Sequence, residues 1–272
     1  MYNNMNKLLF LFILINIHIA ISIKPTFSTI EQFNHRYHNH KIISISPGGV
    51  GGYYLLGIIT YIKENYYTEN FCLLGASAGA WNCLPMSYNK NINTITNDLL
   101  LPYDLPNECS IDDYLCNYDI PDDNVNSIYN LQCNIKSMLI NNYKNEDFNL
   151  NQINIATTIF TKKGFEQIII SDLKSLNRTI DCCFASSHIP FVTGKCLLKL
   201  DDVYFFDGGF KEFPHNSIDT HFDICLEMWG FKFNDCLNIE KYKKNGKLLL
   251  YKKGYRDSME NKDTLNKYFK PI

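Results

Sequence analysis

Between Lys41 and Met86 the chain twice runs from a short apolar stretch, through a glycine-rich turn, into a stretch of helical character. The first unit is Lys41 to Ser46, then Pro47-Gly48-Gly49-Val50-Gly51-Gly52, then Tyr53 to Tyr67, where Leu55, Leu56, Ile58, Ile59 and Ile62 make an apolar face. The second is a strand over Asn70 to Leu74, then Gly75-Ala76-Ser77-Ala78-Gly79, then a helix over Ala78 to Met86. Strand, tight turn and helix in immediate succession is the rhythm of crossover connections between parallel strands. The expected fold class is therefore α/β, with a mostly parallel central sheet flanked by helices.

The remaining chain fits one domain around that unit. Its 272 residues, 46% hydrophobic, suffice for a single substantial core. A net charge of −2 gives no global attraction to nucleic acid. Residues 1–22 read as a signal peptide: Lys7 precedes an apolar run, and Ala20 and Ser22 are small residues placed for cleavage after Ser22. Cleavage implies secretion or a secretory-pathway lumen, and an uncut segment implies a membrane anchor. Residues 23–40 read as an irregular lead-in. His35, His38 and His40 lie there without metal-ligand spacing, and no metal site is expected.

The domain spans residues 41–272, with a polar helical or loop insert at about 90–150. The insert is broken by Pro102, Pro106 and Pro121 and is acidic from Asp104 to Asp123, without the D-x-D-x-D-G pattern of a calcium loop. It reads as a solvated cap. Beyond it, Ile153–Phe160 and Phe165–Ile170 read as a hairpin, Leu173–Ser187 as a helix, and Val203–Phe206 and Asp223–Trp229 as strands. The basic stretch Lys241 to Arg256 reads as a solvated face or a patch for an anionic lipid surface. Of ten cysteines, Cys109, Cys116 and Cys133 lie in polar surroundings suited to bridges. Cys72, Cys83, Cys182 and Cys183 sit in apolar runs as small hydrophobes. Asn177-Arg178-Thr179 is a glycosylation acceptor pattern.

Three stretches carry chemistry. Gly75 to Gly79 fits G-x-S-x-G, and Ser77 follows a strand and opens a helix, as a nucleophile elbow requires. Small neighbours are needed in so crowded a turn, and Gly75, Ala76, Ala78 and Gly79 supply them. The amides of the Gly48-Gly49 stretch, between a strand and a helix, can converge on one developing negative charge, as an oxyanion hole must. Asp207, at the end of an apolar strand and followed by Gly208 and Gly209, is a carboxylate in tight surroundings, where burial raises its pKa toward that of a base.

Together these elements resemble the patatin-like phospholipase family: a Gly-rich loop including Gly52, G-x-S-x-G about thirty residues on, and a distant D-G-G. Ser186 to Gly194, SSHIPFVTG, is similar to the segment before D-G-G in the adipose triglyceride lipase branch. The resemblance covers about 41–90 and 150–256. It implies a patatin-like sheet and a lipid acyl hydrolase working through a Ser77–Asp207 dyad, without a catalytic His. Ser77 is the implied nucleophile, Asp207 the implied general base, and Gly48, Gly49 and Val50 the implied oxyanion donors. The implied partners are glycerolipid esters at a membrane or lipid-droplet surface, with no cofactor. Pro47 stands where the family's loop begins with Gly, and Gly51 where it commonly has Arg or Lys, which removes a basis for preferring a phosphate headgroup. Two other functions fit the residues. One is an esterase with Ser-Asp-His order, using His215 or His221; the other is an inactive secreted lipid-binding protein.

Overall fold

The computed structural model describes residues 27–100, 126–194, 196–200, 203–213, 216–232, 234–235 and 246–272. The signal segment, Cys109, Cys116, the acidic run of the insert, His215 and residues 241–245 of the basic stretch lie outside these.

The core is a mixed sheet in the order β1-β5-β4-β3-β2-β8. Its strands are β1 (Phe27–Thr29), β2 (Lys41–Ile45), β3 (Phe71–Ala76), β4 (Ile153–Thr161), β5 (Gly164–Ile170) and β8 (Phe222–Ile224), with β6 (Leu198–Leu200) and β7 (Val203–Phe206) branching from β4. The helices are α1 (Ile30–Tyr37), α2 (Gly52–Asn65), α3 (Ala78–Ser87), α4 (Ile92–Leu100), α5 (Asn126–Asn142), α6 (Leu176–Ser186), α7 (Gly246–Glu260) and α8 (Lys262–Leu265). The run β8-β2-β3-β4 is parallel. The expected α/β class and mostly parallel centre are present, and antiparallel β5 and β1 extend the sheet on one side.

The parallel strands read as near-continuous apolar runs because both faces are covered. On one face Ile43, Ile45, Leu73 and Ile155 pack with Leu55, Ile58 and Ile62 of α2. On the other, Ile42, Leu74 and Ile169 pack on Phe33 of α1. Helices α2 and α7 meet backbone to backbone: a Cβ on Gly57 would run into the Tyr251 carbonyl, and one on Gly254 into that of Tyr54.

Several expectations change. The described part of the expected irregular lead-in, residues 27–40, is regular: Phe27–Thr29 pairs with β5, and α1 follows behind a Thr29/Gln32 capping box. One buried side chain, Phe33, anchors this otherwise polar helix. The insert is no solvated cap throughout, since α4 and α5 pack against the main core through Ile92, Ile95, Met138 and Leu139. Cys133, expected in a loop, is a buried residue of α5. The strand expected over Asp223–Trp229 stops at Ile224 and gives way to a 3-10 turn at Leu226–Trp229. Asn177 lies in the first turn of α6, and Thr179 of its acceptor pattern is buried with its hydroxyl on the Ser175 carbonyl. That differs from the exposed loop such a pattern usually occupies. The basic stretch is partly spent within α7, where Lys253 pairs with Asp257 and Lys247 lies over the Tyr53 ring. Among the described residues, no helix is long and apolar enough to cross a membrane.

Candidate active site

The site is created where two strands meet end to end. Strand β3 pairs with β4 as far as Ala76↔Ala156, and β7 pairs with β4 at Thr158↔Phe206. Strand β5 already occupies the other edge of β4 at both levels, so β3 and β7 share one edge and run toward each other. One step past each register, Ser77 and Asp207 arrive on either side of the Thr157 level. Thr157 fixes the junction, its Oγ1 donating to the Phe206 carbonyl at 3.0 Å, and Thr158 Oγ1 donates to the Asp207 carbonyl at 2.9 Å.

Ser77 has φ 55° and ψ −123°, a conformation that costs an L-residue energy and persists only when its surroundings impose it. They do so by close approach. A Cβ on Gly79 would strike the Ile45 carbonyl, and one on Gly75 would come within 2.6 Å of Cys83 Sγ. Ser186 then locks the elbow: its Oγ accepts the Ser77 amide at 2.8 Å and donates to the Ala156 carbonyl at 2.7 Å. The Ser186 carbonyl takes the Gly208 amide at 2.7 Å, so one residue holds both halves of the site. Gly208 has no room for a side chain, and a Cβ on Gly209 would lie 2.6 Å from Pro47 Cγ.

Asp207 is buried, and its Oδ1 accepts the Gly209 amide at 2.8 Å. Burial pushes its carboxyl pKa up, against a smaller downward pull from the Ser77 hydroxyl and the Gly209 amide. The hydroxyl is near enough to act on the carboxylate, but no hydrogen bond is closed: Oδ2 is sealed from solvent without a partner. Catalytic hydrogen bonds are often open in unliganded sites and close around substrate. A base with a raised pKa and a vacant oxygen facing a serine is equipped to take that serine's proton.

A cleft of about 160 Å³ opens from Ser77. Gly49, Val50 and Ala78 stand beside Ser77 in its wall, while Leu56, Leu84, Pro85, Leu99, Ile135 and Leu139 make it apolar. Of the three expected oxyanion residues, Gly49 and Val50 line the cleft, and Gly48 is buried beside them with its carbonyl holding the Gly51 amide. Gly49 has φ 51°, a left-handed turn suited to glycine. The Ala78 amide, in the first turn of α3, is a further donor beside Ser77, at a helix end that favours negative charge. Asn82 clamps the two turns together, donating to the carbonyls of Gly52 at 3.1 Å and Ala78 at 3.0 Å.

His221 and His188 do not join this group. His221 lies just before β8, at the opposite end of the sheet, where its amide donates to the Ile42 carbonyl and its Nε2 bonds the Tyr268 carbonyl at 2.9 Å. It cannot serve Ser77 as a triad base. His188 is packed: its carbonyl accepts the Asp207 amide at 2.8 Å, and burial lowers its pKa to about 4. Ala78, Asn82, Ser186 and the cleft wall on α5 were not read from sequence as site residues. Ser186 could have been, since it sits in the SSHIPFVTG stretch. The sequence matches no protein-family model and no curated protein.

Proposed function

We propose that the chain is a serine carboxylic-ester hydrolase of the patatin-like type, cleaving acyl esters of glycerolipids. The observation that carries this reading is the strained Ser77, which lines an apolar cleft and stands beside buried Asp207 with its vacant oxygen. Asp207 Oδ2 takes the Ser77 proton as Oγ attacks the ester carbonyl. The amides of Gly49, Val50 and Ala78 receive the oxyanion. Asp207 returns the proton to the departing alkoxide, leaving the acyl group on Ser77. Water, deprotonated by Asp207, attacks the acyl-enzyme; the fatty acid departs and the proton passes back to Ser77. No cofactor enters these steps.

The surroundings suit a lipid surface, the partner proposed here. Ile189, Phe191, Val192, Phe210 and Phe213 are large apolar side chains, each 40–59% exposed. They lie on the two loops that leave the His188–Asp207 hydrogen bond, and Ile189 also lines the cleft. The first loop can enter an apolar phase with most of its amides satisfied: Val192 and Thr193 donate to the Ile189 carbonyl, Ile189 donates to Thr193 Oγ1, and Pro190 has no N–H.

Hydrolysis assays on phospholipid vesicles, acylglycerol emulsions and a water-soluble ester test the proposal. Turnover lost in folded Ser77→Ala is expected; an inert, folded wild type on all three would overturn it. Phe191→Asp is expected to lose about tenfold on vesicles while keeping the soluble ester, since a charge opposes burial in lipid.

A further inference from the structure

Two side-chain amides line the cleft with carbonyl oxygens to which no described residue donates. Gln132 of α5 and Asn82 of α3 both line it and are each only 7% exposed. The orientation of both amides is set by their partners. Ser187 Oγ donates its proton to the Cys183 carbonyl at 2.7 Å and accepts Trp81 Nε1–H at 3.0 Å. The Gln132 atom 2.9 Å from Ser187 Oγ must therefore be the NH₂ group. Asn82 spends its NH₂ on the carbonyls of Gly52 and Ala78. Gln132 Oε1 and Asn82 Oδ1 thus accept from no donor among the described residues, and neither oxygen is sealed within protein. Both oxygens reach solvent, so an occupant that displaces water from the cleft must supply them a donor or leave them unpaired.

The rest of the wall defines that donor. None of the described residues lining the cleft is an aspartate, glutamate, lysine, arginine or histidine. An ammonium or phosphate group would enter without a counter-charge, at a large desolvation cost. A neutral hydroxyl matches both oxygens. Gln132 is tied through Ser187 to the segment whose preceding residue, Ser186, holds the Ser77 amide, which keeps it near the reacting ester.

We infer that the cleft selects esters carrying a free hydroxyl, with Gln132 Oε1 as the specificity-determining acceptor. This rests on the ester-hydrolase reading above. The hydroxyl has two sources: the alcohol of a partly acylated glycerol, or a hydroxylated acyl chain.

The test compares kcat/KM for n-propyl octanoate, glyceryl monooctanoate and n-propyl hydroxyoctanoate, all below their aggregation concentrations, with wild type and Gln132→Leu. The expected result is a roughly three- to tenfold preference of wild type for one hydroxyl-bearing ester, the size of one hydrogen bond. Whichever ester shows it identifies the source. Gln132→Leu is expected to bring that ratio close to one, and a ratio taken within one variant does not depend on how much of it folds. Equal rates on all three esters by wild type would overturn the inference and leave the hydrolase reading intact. A preference unchanged in Gln132→Leu would overturn the role of Gln132. No turnover of any ester by folded wild type would remove the hydrolase reading itself.

Discussion

Asp257 and Asp207 are buried to nearly the same degree, 6% and 8% exposed, and are held in opposite ways. Asp257, on α7, takes the Tyr54 hydroxyl at 2.8 Å and Lys253 Nζ at 2.8 and 2.9 Å, so both its oxygens are occupied. It ties α7 to α2 where their glycines let the backbones touch. Asp207, at the head-on junction of β7 and β3, has one backbone amide and one empty oxygen. The first carboxylate is placed to be satisfied. The second is left with proton affinity to spend, and the fold tolerates this because every neighbouring group, from Thr158 to Ser186 and Gly208, is pinned.

Removing the charge at each place sharpens the contrast. Asp207→Asn is expected to lower ester turnover roughly a thousandfold, within the range for loss of a general base. It should not lower stability at pH 7. The sign follows from the raised pKa: above the unfolded carboxylate value near 4, ionised Asp207 costs the folded state free energy, and that cost is absent below it. The amide keeps an oxygen for the Gly209 N–H and carries no charge to bury. The same shift predicts a pH–rate profile whose acid limb lies above the ordinary carboxylate range, measured as kcat/KM on a soluble ester. A Tm that falls in Asp207→Asn would break the comparison.

His188 provides a second unsatisfied group beside the same strand end, with Nε2 buried and unpartnered. Its pKa is depressed from 6.5 to about 4 by burial, so the stability it contributes is present above pH 6.5 and is lost as pH falls toward 4. Over that window the loss should reach about 3 kcal/mol. His188→Gln should flatten the dependence, as read by urea unfolding at several pH values. Asp257→Asn should do the reverse of Asp207→Asn: about 2 kcal/mol of stability lost as Lys253 and Tyr54 lose their partner, with turnover per folded molecule retained.

Ser77 and Asp207 could be read from the chain because each sits in a turn that only small residues permit. Gly75, Gly79 and Gly208 leave visible marks, and the structure gives each a backbone or sulfur atom that a side chain would strike. What brings Ser77 and Asp207 together left no such mark. Their meeting depends on β3 and β7 sharing one edge of β4, a matter of register between residues far apart in sequence. For the same reason the pairing of Gln132 with Ser187 was invisible. Helix α1 was missed because its composition is polar and a single phenylalanine anchors it. Helix α5 was missed as a wall because its apolar positions are diluted by Asn, Gln and Lys.

The central claim is that Asp207 activates Ser77. Fluorophosphonate labelling of the folded protein, with the modified residue mapped by mass spectrometry, tests it most directly. The account predicts stoichiometric labelling at Ser77 in wild type, none in Ser77→Ala, and labelling slowed by orders of magnitude in folded Asp207→Asn. Labelling of Ser77 at an unchanged rate in Asp207→Asn would contradict it.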